Sequence, residues 1–121
     1  MELICLQIDL ARQKERVDYV KSYMDFAVQN GYNSVLLYLE NAVRTNSTQY
    51  FDKEDTYSME EMSEMIAYGI EKGLDVIPAF ENLGHLEKFF EYPQWEDLSE
   101  CTDTERKAEA LKGRKEVLAD A

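Results

Sequence analysis

Three groups of chemically capable side chains each follow a short apolar run. Asp9 and Arg12 follow residues 3–8. Glu40, Asn41 and Arg44 follow residues 35–39, and Glu81, Asn82 and His85 follow residues 76–80. A carboxylate beside an imidazole is material for acid–base chemistry, because histidine titrates near neutral pH and a carboxylate tunes it. His85 is the only histidine of the chain, with Glu87 close by. Tyr38 and Glu40 share one face of an extended segment, and Asn41 begins the loop beyond it. A carboxylate there accepts from a sugar hydroxyl or a catalytic partner, or is a solvated loop side chain. Asp9 and Arg12, three residues apart, read first as a local ion pair. The other reading has them fix a neighbouring loop. Glu40, Glu81 and His85 are also the residue types of a divalent-metal site, although one histidine among scattered carboxylates is a weak pattern for it.

The elements that must position these residues follow from hydrophobic period. Residues 3–8 read as a strand, nearly all apolar except Gln7, as in a parallel strand covered on both faces. Residues 14–30 read as a helix with Val17, Val20, Met24, Ala27 and Val28 on one stripe, closed by Gly31. Residues 35–39 form the second strand. Residues 41–57 are a polar loop, longer than the roughly 12 residues usual without a function. Ser58 and Glu61 make a capping box that opens a second helix, with Met59, Met62, Ile66 and Ile70 as its buried stripe and Gly73 at its end. Residues 76–80 form the third strand, with Pro78 placed towards a strand end. Residues 84–92 read as a short helix or turns. Thr102 and Glu105 form another capping box, opening a charged helix to about residue 120 with a thin stripe of Ala108, Leu111, Val117 and Leu118.

This order, β-α-β-α-β-(α)-α, implies parallel strands adjacent in the order one-two-three with right-handed crossovers. An open doubly wound sheet and an arc of a (β/α) barrel both fit, and both bind ligands beyond the C-terminal strand ends. A closed barrel takes roughly 250 residues, and the chain has 121. The expected class is α/β, a partial (β/α)8 TIM barrel of about three β/α units, with residues 1–121 as one portion of a catalytic domain.

Composition limits the partners. Hydrophobic residues are 45% of the chain, enough for a core, and the net charge is -12. That charge argues against nucleic acid and against anionic membrane surfaces. Cys5 in an apolar run and the distant Cys101 make neither a disulfide framework nor a zinc site. The sequence shows no dinucleotide fingerprint, phosphate loop or nucleophile elbow, and no cofactor is expected. The N-terminal apolar run is too short for a signal or a membrane span, so a cytoplasmic location is expected. Phe89, Phe90, Tyr92 and Trp95 cluster after His85, as packing or as an aromatic wall for a sugar.

Three segments resemble the start of the catalytic barrel of glycoside hydrolase family 20, the β-N-acetylhexosaminidases. Ile8-Asp9-Leu10-Ala11-Arg12 is similar to the family's Leu-Asp-x-x-Arg at the first strand. Residues 33–41, ending Tyr38-Leu39-Glu40-Asn41, resemble the Tyr-x-Glu-Asp second strand of one branch. Ile77-Pro78 followed by Gly84-His85-Leu86-Glu87 resembles the third, and Tyr92-Pro93-Gln94-Trp95 fits as well. The likeness runs from about residue 3 to residue 98. It implies an exo-acting hydrolase of terminal N-acetylglucosamine or N-acetylgalactosamine, with a substrate-assisted retaining mechanism that departs from the usual two-carboxylate scheme. The family's catalytic Asp-Glu pair follows the fourth strand, and no Gly-Asp-Glu occurs in this chain. The resemblance makes His85 the support of the general acid and puts Glu40, Asn41, Arg12 and Tyr38 at the substrate, with the rest of a barrel as partner. Asn41 stands where the family has Asp, and Ile4 and Cys5 stand where it has a sugar-gripping Arg. The chain alone is then expected to be inactive. The alternatives are a non-catalytic sugar-binding or interaction module, and a metal-dependent sugar isomerase-type barrel using Glu40, Glu81 and His85.

Overall fold

A computed structural model describes residues 2–82 and 84–98. By their contacts the residues divide into two compact units, Met1–Leu86 and Glu87–Ala121. The first unit holds five elements: β1 (Cys5–Asp9), α1 (Val17–Gln29), β2 (Ser34–Tyr38), α2 (Met59–Glu71) and β3 (Asp75–Ala79). They form an α/β fold whose parallel sheet has the order β1-β2-β3. The expected strand order holds, and it is the order both of a barrel arc and of one half of a doubly wound sheet. In the second unit, 3-10 turns occupy Phe89–Glu91 and Pro93–Leu98, and Phe89 meets Trp95 edge-on at 5.0 Å. The predicted last helix and Cys101 lie outside the described residues.

Register explains the packing. Leu6 pairs with Val35, which pairs with Val76 on its other side, and Ile8 pairs with Leu37. These side chains join Val20, Met24 and Ala27 of α1 and Met62 and Met65 of α2 in one core. By alternation the opposite face carries Gln7, Leu36 and Ile77, and then Asp9, Tyr38 and Ala79. There Gln7 is exposed and Leu36 and Ile77 are only half-buried. Cover on both faces, expected from the apolar runs, is thus complete on the helix side and partial on the other among the described residues. Asp75 N–H donates to Asn33 and Ala79 C=O accepts from Leu39, so these alternate residues face β2. Pro78, between them in phase, turns its donorless nitrogen to the open edge, where proline is tolerated.

The helices depart from the expected stripes by a small rotation. On α1, Val20, Met24 and Ala27 are buried but Val28 is exposed, and the helix begins at Val17 instead of residue 14. On α2 the buried positions are Met62, Met65 and Gly69, while Met59 and Ile70 are exposed. Gly69 causes the shift. A Cβ at Gly69 would lie 2.5 Å from Val76 Cγ2 and 3.2 Å from Met24 Sδ, so its bare backbone lets α2 settle against β3 and α1. The capping box forms as read: Ser58 Oγ accepts from Glu61 N–H and Glu61 accepts from Ser58 N–H, both at 3.1 Å. That backbone hydrogen bond holds the Glu61 carboxyl below its usual range. Its contribution is present at neutral pH and is lost as acid protonates it. Gly31 and Gly73 end the helices at φ 80° and 86°, where a side chain would be strained.

Gly69→Ala is expected to lower stability by about 1–3 kcal/mol, because overpacking against a stiff valine outweighs the roughly 1 kcal/mol gain in helix propensity. A fall in the urea midpoint is the readout. An equal or higher midpoint would show that α2 can move off the sheet freely.

Candidate functional site

At the C-terminal end of the sheet, three segments converge on one carboxylate. Asp9 Oδ1 accepts from Ala11 N–H at 2.9 Å and Arg12 N–H at 3.1 Å, a turn that starts the loop after β1. The turn sends the Arg12 side chain across β2, where Nη1 donates to Glu40 Oε1 at 2.7 Å. Tyr38, on the same strand face, donates its hydroxyl to that oxygen at 2.8 Å. His85, just past β3, brings Nδ1 to 3.9 Å from it. The local Asp9–Arg12 pair expected from spacing is therefore corrected. Asp9 fixes the loop through its backbone, and the arginine pairs with a carboxylate 28 residues away.

Burial sets the character of the cluster. The Glu40 side chain is only 1% exposed, whereas Arg12 is 54% and His85 52% exposed. A solvated Glu40 is thereby ruled out. A buried carboxylate is costly unless paired and hydrogen-bonded, and Arg12 and Tyr38 supply both. Hydrogen bonding to Glu40 raises the Arg12 pKa. Tyr38 is pushed up to about 12, first by desolvation and then by its hydrogen bond to Glu40. Glu40 and His85 have φ of 44° and 56°, left-handed values that cost non-glycine residues on the order of 1–3 kcal/mol. Such strain clusters where function needs a side chain aimed in one direction.

Asn41 is buried beside Glu40 in sequence, but no hydrogen bond joins it to His85 among the described residues. Glu81 lies close enough to act on the Tyr38 phenol by charge. Among the described residues no three His, Cys, Asp or Glu side chains are grouped to hold a metal, so Glu40, Glu81 and His85 do not form that constellation. No helix among the described residues is long and apolar enough to cross a membrane.

The loop after β2 is more ordered than its polarity indicates. Val43 bridges Tyr57 in parallel, with Tyr57 N–H donating to Ala42 C=O and Arg44 N–H to Tyr57 C=O. Buried Arg44 donates from Nη1 to Thr56 O and Oγ1, each at 2.8 Å. Tyr57, fully buried, accepts from Glu15 N–H at 2.8 Å and donates to Glu15 C=O at 2.6 Å, tying this loop to the one after β1. Sequence reasoning missed Tyr57. The available signal was apolar Ala42, Val43, Phe51 and Tyr57 within a segment otherwise read as solvated.

Comparison with protein-family models gives no match, and neither does comparison with curated proteins. Solved structures do resemble the chain. The β-N-acetylhexosaminidase from Bacteroides fragilis matches 76% of it at 24% identity with a TM-score of 0.67. A mutant Streptomyces plicatus β-hexosaminidase in complex with its product GlcNAc matches 72% at 22% identity and a TM-score of 0.64. The family 20 β-N-acetylhexosaminidase from Streptomyces coelicolor matches 72% at 20% identity, also at 0.64. The chain spans 20–22% of the length of these three proteins. At such identity the likeness is one of fold.

The two most strongly shifted phenols give a pH prediction. Tyr38 and Tyr57 both rise from 10 to about 12 in the folded chain. A raised folded pKa gives stability that is complete below pH 10 and lost as pH climbs towards 12. Denaturant midpoints should therefore fall across that window, and phenolate absorbance should show late-titrating tyrosines with Tyr38 and Tyr57 among them, Tyr19 and Tyr68 being raised as well by hydrogen bonds to Tyr23 and Asp25. Tyr57→Phe should lower the midpoint at neutral pH and reduce its alkaline fall. A midpoint as steep in this variant as in the parent chain would contradict the assignment.

Proposed function

We propose that these residues are the first three β/α units of a (β/α)8 barrel of the family 20 type. Its reaction is removal of terminal N-acetylhexosamine from a glycan by a substrate-assisted retaining mechanism. The observation that carries the reading is the convergence of Arg12, Tyr38 and His85 on buried Glu40 at the C-terminal strand ends, where (β/α) barrels bind substrate. The fold likeness to hexosaminidases supports it, as does the partly uncovered sheet face, which suits continuation of a barrel around it.

In this reading the substrate's acetamido oxygen attacks the anomeric carbon. An Asp that orients the acetamido group and a Glu general acid come from residues outside the 121 given. His85 supports that acid by hydrogen bonding, and Arg12, Tyr38, Glu40 and Asn41 line the non-reducing-end pocket. The second reading, a non-catalytic sugar-binding module, is favoured by Asn41 and by Ile4 and Cys5 at the positions noted above.

A longer protein containing these residues and the Asp-Glu pair tests the choice. His85→Ala should lower kcat by about 10²-fold or more, the scale of acid–base assistance, with a much smaller change in KM. The 121-residue chain alone should bind N-acetylglucosamine weakly or not at all and turn over no aryl N-acetylglucosaminide. Binding by the longer protein without hydrolysis selects the module. Turnover by the pure short chain refutes an acid supplied from elsewhere.

A further inference from the structure

We infer that the free edge of β1 and the flank of α1 beside it form a self-complementary surface that pairs with a second copy of this chain. The inference goes beyond the functional reading and concerns the 121-residue chain itself. A barrel closed by further residues would cover the same seam from within one protein. Three observations carry it. The first is a difference between the two sheet edges. Leu10 N–H donates to Tyr38 C=O and Ile4 C=O accepts from Asn33 N–H, so by alternation Cys5, Gln7 and Asp9 turn their backbone groups away from β2. β1 contains no proline or lysine, two residues that guard exposed edges, whereas the free edge of β3 carries Pro78. The second is an unfinished core. Val35 is wholly buried, but Leu6 beside it in the same row is only half-buried. The third is an aromatic stripe. α1 turns Lys21 and Asp25 to Glu64 and Tyr68 of α2. At 3.6 residues per turn, Tyr19, Tyr23 and Phe26 then fall on the opposite flank. They are 45%, 37% and 50% exposed, with Tyr19 and Tyr23 edge-on to each other at 5.2 Å.

A two-fold axis through Gln7, perpendicular to the sheet, satisfies all three at once. It runs β1 antiparallel to its copy and joins two three-stranded sheets into one of six strands. Gln7 of each copy then exchanges N–H and C=O with Gln7 of the other, as opposed residues of an antiparallel hydrogen-bonded pair do. Asp9 lies opposite Cys5, so no like charges face each other directly across the seam. On the helix side Leu6 of each copy faces Ile8 of the other, which covers the half-buried leucine. The same axis keeps both helix layers on one face, and the two α1 flanks meet as identical patches of an isologous contact. That flank is uncharged at Tyr19, Tyr23, Phe26 and Asn30, in a chain that is 31% charged. An aromatic side chain covers about 150–250 Å², so three rings near half exposure and Leu6 bring on the order of 300 Å² per copy, to which the strand edge adds. This falls short of the roughly 800 Å² per partner of a standard interface, and the association is therefore reversible. The net charge of -12 on each copy opposes it, and salt screens that repulsion.

Sedimentation velocity of the 121-residue chain from about 1 μM to about 1 mM covers the affinities of such an association. A reductant keeps Cys5 and Cys101 from cross-linking. The expected result is a monomer–dimer equilibrium that shifts towards dimer as salt is raised. Gln7→Pro removes an N–H that faces solvent in the monomer, a change tolerated on an edge strand, and should leave only monomer. Phe26→Glu, at a half-exposed position of the α1 flank, should do the same and carries the test if Gln7→Pro unfolds the chain. Ile70→Glu, at a residue 61% exposed on α2, should leave the dimer intact. A parent chain that is monomeric throughout overturns the inference. So does a dimer that survives Phe26→Glu, one that Ile70→Glu dissociates equally well, or growth beyond the dimer, which a closed two-fold forbids. Hexosaminidase activity in a longer protein, present or absent, bears on the functional reading and leaves this result standing.

Discussion

The structure at the functional end of the sheet is governed by the burial of one negative charge. Glu40 ends the middle strand's trajectory with its carboxylate almost wholly out of water. A lone buried carboxylate is costly unless it is paired and hydrogen-bonded. It persists because a guanidinium from the loop after β1 and a phenol from β2 reach the same oxygen. That requirement fixes the exit of the loop after β1, through the Asp9 turn, and draws His85 in from the far side. A second buried polar node, the Tyr57 hydroxyl on Glu15, locks the loop after β2 to the loop after β1. Both nodes lie on the side of the sheet where the parallel strands end.

Much of the scaffold was legible because its signals are local. Three apolar runs set the strands, shifted by one or two residues from the observed bounds. The Ser58–Glu61 box set the start of α2. Two glycines set the helix ends. The details that failed depend on packing. Met59 and Ile70 have the period of a buried stripe, but the stripe turns because Gly69 admits β3. Arg12 has a carboxylate three residues away, yet its partner lies on the next strand, where Tyr38 and the turn after β1 favour it. Distance along the chain says nothing about such a pair.

The site was legible in position and only partly in form. Strand ends located Arg12, Tyr38, Glu40 and His85, and the structure brings all four together. The burial of Glu40 was not readable, since a carboxylate opening a long polar loop has the composition of a solvated one. Asn41 makes no hydrogen bond to His85 among the described residues, and the adjacent Glu40 is the carboxylate at the imidazole. The likeness to hexosaminidases is one of fold.

A double-mutant cycle between Arg12→Met and Glu40→Gln, read by urea denaturation, measures the central interaction directly. An exposed ion pair contributes between zero and about 1 kcal/mol, whereas a hydrogen bond to a buried charge contributes about 1.5–3 kcal/mol. The account predicts a coupling energy on the order of 1.5 kcal/mol or more. Additivity within about 0.3 kcal/mol would show that Arg12 does not hold Glu40, and would contradict it.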